Sequence, residues 1–326
     1  MDLIESYKEE LQLIRKPWTR IWVSALVVAV LLLPFYGPEH VTYIVTIIWL
    51  YSVGVMGQNI LIGYTGQISF GQAGFLAIGA YTFGHLIRLG IPLSLSILGG
   101  GVAAGLFGIL VGFPSLRLKG PYLAIATMGF GVAVYQIFVN SELLSGGRMG
   151  LSIPKLEPWF GMSSVMFSYY FNFIFMLGFA LLTYNIISSY MGRAFIAIRD
   201  NDIAAEVIGV NLTRYKLLSF AISSFYTGIQ GALYALFVGY LEPNMFNFMV
   251  SITLFVAVII GGLASVEGSI MGAAFVVLVP QLFSDYKEMV PVIFGVTILI
   301  ILIFEPLGLA GRWMTTRVYL RNWPFR

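Results

Sequence analysis

GRAFIAIRDNDIAAEVIGVNLTRYK, Gly192–Lys216, is a polar island in an otherwise apolar chain. Apolar runs long enough to cross a bilayer flank it on both sides, and that contrast decides the fold. The interior of the island reads as a short helix. Asp200, Asn201 or Asp202 can cap its N-terminus, because their side-chain oxygens accept the orphan N–H bonds and an acidic charge suits the helix dipole. Ala204 and Ala205 favour helix and leave little bulk on its surface. Gly209 fits the position just past the C-terminus, where a residue without Cβ turns left-handed. A capped helix with a small-residue face, held between two membrane spans, suits docking into a groove of another protein. An ordinary solvated loop is the competing reading of the same residues.

Working outward, composition sets the class. The chain has 326 residues, of which 59% are hydrophobic and 10% charged, with 36 glycines. A soluble domain carries about 25% charge. The expected fold is therefore an all-α polytopic membrane protein. With no cysteine, the chain has no disulfide, thiolate nucleophile or Cys metal site. His40 and His85 are too few for a His-rich metal site and read as headgroup-level or packed residues.

A span needs about 20 apolar residues. Ten runs qualify, several short or broken by glycine: 20–37, 41–62, 71–88, 91–112, 122–140, 166–188, 215–240, 248–264, 268–284 and 290–306. Ahead of them, residues 1–16 read as an interfacial amphipathic helix, with Leu3, Ile4, Tyr7, Leu11 and Ile14 on one face and Pro17 ending it. No small-residue cleavage site follows the run from Ile21, so it reads as a retained span rather than a signal peptide. Ten spans put both termini on one side. If that side is cytoplasmic, fourteen of the eighteen Lys and Arg lie inside, in the N-terminus, at 117–119, in 193–216 and in the basic tail 312–326. Only Arg88, Arg148, Lys155 and Lys287 lie outside. This bias supports cytoplasmic termini and a cytoplasmic island. Two five-span halves of opposite orientation are one way to build such a chain, but no sequence repeat marks them.

Enzyme signals are absent. The chain contains no Gly-Lys pair, so it has no phosphate-binding loop of its own. No ionisable residue falls near the centre of a run, which counts against a carrier powered by ion coupling, although unwound backbone carbonyls can still hold sodium. The second informative stretch is GYTGQISFGQAGFLAIGAY, Gly63–Tyr81. Its glycines interrupt helix, while Gln67, Ser69 and Gln72 supply uncharged hydrogen-bonding groups. Non-helical backbone at membrane depth persists only where protein buries it or where it lines a wet cavity. The stretch is thus a break lining a translocation path or a plain cytoplasmic turn. A third stretch, Ser145–Leu151, lies in the longest outside loop and reads as a contact for an external partner or as a turn.

Together these stretches resemble the permease subunits of branched-chain amino acid ABC importers. The resemblance covers about residues 40–310. It rests on GYTGQISFGQAGFLAIGAY at 63–81, GGRMGLSIP at 146–154, RAFIAIRDNDIAAEVIGVNLTRYKLLSF at 193–220 and IIGGLASVEGSIMGA at 259–273. It implies an importer transmembrane domain over 17–311 with its coupling loop at 193–216. Ala204, Ala205 and Gly209 match the core of that loop, and Ile203 stands where the family places Glu. Asp202, Ile203, Ala204, Ala205, Glu206 and Gly209 are the implied ATPase contacts.

The same resemblance implies a multi-pass subunit of the cell (inner) membrane that is not itself an enzyme. Its partners are a second, related permease, two cytoplasmic ATPases that bind the ATP, and an external solute-binding protein. It implies no cofactor in this chain and no nucleic acid. The solute implied is a branched-chain amino acid, moved by alternating access. Within the class, permeases for urea and short-chain amides look similar. From other classes, a self-sufficient carrier or channel, or a membrane scaffold without transport, are the alternatives.

Overall fold

The computed structural model describes residues 29–116, 118, 120–154, 163–283, 289–304 and 308–311. The amphipathic segment 1–16, the basic tail 312–326 and most of the charges behind the orientation argument lie outside these residues. A helical segment over 29–36 comes first. Then follow α1 (Glu39–Asn59), which continues into a π-helical turn (Ile60–Tyr64), α2 (Gln72–Arg88), α3 (Leu93–Ser115) and α4 (Pro121–Asn140). After the short α5 (Glu142–Ser145) come β1 (Leu151–Ser152), α6 (Ser164–Ser188), α7 (Tyr190–Asp200), α8 (Asp202–Val207) and α9 (Leu212–Val238). The described chain closes with β2 (Tyr240–Leu241), α10 (Phe248–Gly261), α11 (Val266–Leu282) and α12 (Val290–Phe304).

From residue 41 onward each apolar run coincides with a helix, and the ends agree to within about three residues. Among the described residues six helical stretches are long and apolar enough to cross a membrane: Glu39–Tyr64, Leu93–Pro114, Pro121–Asn140, Ser164–Ser188, Leu212–Val238 and Pro243–Gly261. Val266–Leu282 is apolar but shorter. The protein is an all-α polytopic membrane protein.

Helices α1, α2, α3 and α9 form the centre, with α9 packed against the other three. Small residues bring the backbones together, as association in lipid requires when there is no hydrophobic drive. Gly79 of α2 lies directly on the backbone of Gly228 in α9, and Gly231 lies against the Leu76 carbonyl. A Cβ at any of the three would collide with main chain, which cannot move aside. A second layer packs α10 and α11 on α1, where Gly272 meets the Ala257 carbonyl and Gly261 meets Gly268. Helix α6 is peripheral: 17% of its apolar window is buried, against 72% for the window in α1. Its exposed Ile174 and Leu177, with Leu106, Leu110 and Phe113 of α3, suit a lipid face.

At one end of α9, β1 pairs antiparallel with β2 in the register Leu151↔Leu241. This ties the 146–154 stretch to the α9–α10 turn. At the other end of α9 lies the polar island, so the two stretches occupy opposite ends of the bundle. Ser145 is buried and donates to the Phe138 and Ser141 carbonyls. Of the two readings of this loop, the Ser145 end is thus a packed turn, while Met149 is exposed.

Candidate coupling site and helix break

The island folds as two helices rather than one. Asn201 separates them with an extended backbone, φ −163° and ψ 110°, and its side-chain oxygen accepts from the N–H groups of Ile203 and Ala204, both at 3.0 Å. Of the three candidate caps, Asn201 is the one used. The C-terminus of α8 closes as a Schellman motif: the Val210 N–H bonds the Ala205 carbonyl at 2.9 Å and the Gly209 N–H bonds the Glu206 carbonyl at 3.0 Å. That geometry needs a left-handed residue, and Gly209 has φ +90°.

The two alanines do not share a face. Ala205 is 1% exposed, turned into the chain where α8 packs on α7 and α9, while Ala204 is exposed. Asp202 also faces the chain, bonded to Lys216 of α9 at 2.7 Å in a pair whose side chains are 23% and 13% exposed. The free surface of the island consists instead of Ile203, Val207 and Ile208, which are 72%, 82% and 74% exposed, with Ala204, Glu206 and Gly209 beside them. Sequence reasoning named Ile203 but missed the apolar surface it forms with Val207 and Ile208. Its signal was the i, i+4 spacing of Ile203 and Val207, which puts them on one side of a helix.

The break after α1 is built by loosening the helix. Beyond Asn59 the ladder passes into the π-helical turn, Thr65 Oγ1 donates to the Ile60 carbonyl at 2.9 Å, and the Gln67 N–H reaches back to Leu61. Gly66, at φ +72°, reverses the chain. Alternating buried and half-buried residues then run to Gly71, the residue capping α2.

Side chains from distant parts of the chain hold this segment. Gln67 Nε2 donates to Ser219 Oγ at 2.7 Å. Gln72 Nε2 donates to Ser223 Oγ at 3.1 Å, and its Oε1 accepts from Thr227 Oγ1 at 2.7 Å. The Ser69 carbonyl accepts from Gln58 Nε2 at 3.3 Å. Gln67, Ser69 and Gln72 are therefore buried at the seam of α1, α2 and α9. The buried polar side chains among the described residues are all Ser, Thr, Asn or Gln. Gln58 and Gln230 join the seam, and sequence reasoning missed both. Gln230 fills the space left by Gly54, and neither of its amide atoms has a partner among the described residues.

Three of the four sequence stretches meet at the π-helical turn. Asn59, at its start, donates to the carbonyls of Gly262 and Ser265 and to Ser269 Oγ, at 3.3, 2.8 and 2.9 Å, and accepts from the Ala264 N–H at 2.9 Å. It thereby binds the 259–273 stretch to the end of α1. From the island, Arg199 Nη1 donates to the Gly63 carbonyl at 3.2 Å. Among the described residues no three His, Cys, Asp or Glu side chains converge in a way that would hold a metal ion.

The profile of the family described as branched-chain amino acid transport system / permease component matches residues 40–304. The chain is 31% identical over 318 residues to the high-affinity branched-chain amino acid transport system permease protein LivM of Escherichia coli K12, covering 89% of this chain and 74% of that protein. It is 27% identical to the LivH permease protein of the corresponding system in Salmonella typhimurium, covering 80% and 91%. It is also 27% identical to the permease protein BraD of Pseudomonas aeruginosa, covering 80% and 92%. No solved structure matches it.

Proposed function

This chain belongs to the branched-chain amino acid transport system permease family, and we propose that it is the membrane permease subunit of an ATP-binding cassette importer that brings branched-chain amino acids across the inner membrane. It is a non-catalytic subunit, with hydrolysis carried by two cytoplasmic ATPases. A second permease, related as LivM and LivH are, pairs with it, and an external binding protein delivers the solute. ATP is bound by the ATPases and this chain carries no cofactor.

The observation that carries the reading is the island. A short helix capped at both ends presents Ile203, Val207 and Ile208 to the outside while Ala205 and Asp202 anchor it to α7 and α9. Exposed large apolar side chains clustered on a rigid, polar-flanked element mark a protein contact. Asp202 and Ala205 thus act from within, holding the helix in place, and Ile203, Ala204, Glu206 and Gly209 lie on the contact side.

In this reading the ten apolar runs are spans and both termini are cytoplasmic. The Lys and Arg distribution supports that orientation. So does the placement of the island and of the β1–β2 pair at opposite ends of α9. The solute passes between the two permeases by alternating access. Gln67, Ser69 and Gln72 are buried at the seam of α1, α2 and α9, and this uncharged seam meets that path when its helices part.

The experiment is reconstitution. Leucine uptake into liposomes should need this chain, the second permease, both ATPases, ATP and loaded binding protein. Uptake by this chain alone would instead make it a self-sufficient carrier or channel.

A further inference from the structure

We propose that Arg199 is the positioning residue through which displacement of the coupling helix α8 reaches the break between α1 and α2. The inference rests on the docking role of α8 and adds a route by which docking acts on the spans.

The break offers one carbonyl to the island. At the end of the π-helical turn the backbone bonds go to Leu61 and Ile62, and the Gly63 carbonyl takes the Arg199 guanidinium at 3.2 Å. The contact extends along the side chain. A Cβ at Gly66 would lie 3.3 Å from Arg199 Cγ and 3.5 Å from its Cα, so the reversing loop rests on the arginine stem. Asp200 aims the head group: its Oδ1 accepts from Arg199 Nε at 3.1 Å and from Nη2 at 3.0 Å. Asp200 ends α7, and the next residue is the Asn201 cap of α8. Cap, aiming carboxylate and guanidinium are thus three consecutive residues.

A Cβ at Gly63 would collide with Asn59 Oδ1 and the Ala264 nitrogen, so the glycine sits close against the α10–α11 turn. A push delivered at Gly63 therefore meets the α10–α11 turn as well as α1. The Arg199–Asp200 pair is not a fold-stabilising element, because its side chains are 37% and 62% exposed and such pairs contribute little. An arginine suits the task because its planar fork bonds Asp200 and Gly63 at once, whereas a lysine is a single flexible point charge.

The test uses the full importer in liposomes with leucine-loaded binding protein. Three quantities are read: ATPase co-purifying with the permease, ATP hydrolysed, and leucine taken up. For Arg199→Ala, co-purification should stay at the wild-type level. Leucine taken up per ATP hydrolysed should fall about tenfold, the low end of what losing a hydrogen bond to a charged group costs. Arg199→Lys, which keeps a donor for Gly63, should recover part of that ratio. A purely structural role would change yield and leave the ratio intact. A wild-type ratio in Arg199→Ala overturns the proposal. So does loss of ATPase co-purification in Arg199→Ala, which would make Arg199 a docking residue. If Arg199→Ala fails to fold, Arg199→Lys and Arg199→Gln carry the same reading. Failure of the underlying docking role shows separately, as full ATPase association in Ile203→Asp.

Discussion

Ala264 holds a left-handed backbone, φ +56°, and gives its N–H to Asn59 Oδ1 across 205 residues of sequence. It is the one non-glycine with positive φ among the described residues. That conformation costs an L-residue about 1–2 kcal/mol, so its surroundings must hold it. Asn59 does so with all of its amide. Asn59→Ala would strip the Gly262 carbonyl and the Ala264 N–H of this partner at once, while the Ser265 carbonyl keeps the Ser269 N–H and Oγ. We expect a loss of about 2–4 kcal/mol, from buried groups left unsatisfied at about 1–3 each. Ala264→Gly should be close to neutral, because relief of strain is offset by the greater freedom of glycine in the unfolded chain. Thermal unfolding in detergent checks both, and an unshifted midpoint in Asn59→Ala would show that the turn holds itself.

The exposed surface of α8 sets the expectation for ATPase binding. Ile203→Asp and Val207→Asp change residues that touch little of this chain, so folding should be nearly unaffected. Fully burying an Ile or Val side chain is worth about 1.5–3 kcal/mol, so each should weaken ATPase association roughly 10- to 100-fold, read by co-purification at graded ATPase concentrations. Ala205→Trp is the less informative probe. Ala205 faces α7 and α9, and overpacking there disturbs the helix from inside the chain. Association unaltered in both aspartate variants would return the island to the status of a solvated loop.

Much of this architecture was legible in the sequence because each span is continuous and apolar, and a run such as 122–140 needs only length and hydropathy to be found. Gly209 was legible too, since a glycine after a short helix is a local signal. The orientation of Ala205 was not. Successive helical residues point about 100° apart, so two adjacent alanines need not face the same way, and only the packing of α8 on α7 and α9 decides which turns inward. Nor was the partnering of the break. Gln67 pairs with Ser219 and Gln72 with Ser223 across some 150 residues, through neutral groups that leave no charge pattern along the chain. Gln230 was hidden for the same reason, and only its seat against Gly54 singles it out.

Orientation is open to a direct check, because the chain has no cysteine to confuse labelling. Leu143 and Met149 are exposed on the loop joining α4 to α6. Leu143→Cys should react with an impermeant thiol reagent added outside intact cells. Val207→Cys, at the other end of the bundle, should react only after the membrane is opened, in cells that lack the partner ATPases. Ser145 is a poor site for such a label, being buried. Reaction of Val207→Cys in intact cells would invert the proposed topology.

The final expectation concerns the polar seam. Gln72 joins α2 to α9 through Ser223 and Thr227, and this scaffold role is separable from the path role proposed for it. Gln72→Leu removes both hydrogen bonds. Thr227 Oγ1 keeps its bond to the Ser223 carbonyl at 3.0 Å, so the structural loss should be modest, about 1–2 kcal/mol. The opening of a path along this seam needs the polar groups of α2 and α9 to exchange partners as the helices part, and a leucine at 72 leaves α9 hydroxyls facing apolar surface at that moment. We therefore expect leucine uptake to fall several-fold in Gln72→Leu while ATPase association and protein yield hold. Gln67→Leu should behave in the same way, because Gln67 bonds Ser219 of the same helix, about one turn nearer the island than Ser223. Wild-type uptake in both variants would confine these glutamines to packing and move the path off the seam. Loss of yield that parallels loss of uptake would have the same meaning, since a scaffold residue lowers both together and a path residue lowers only the second.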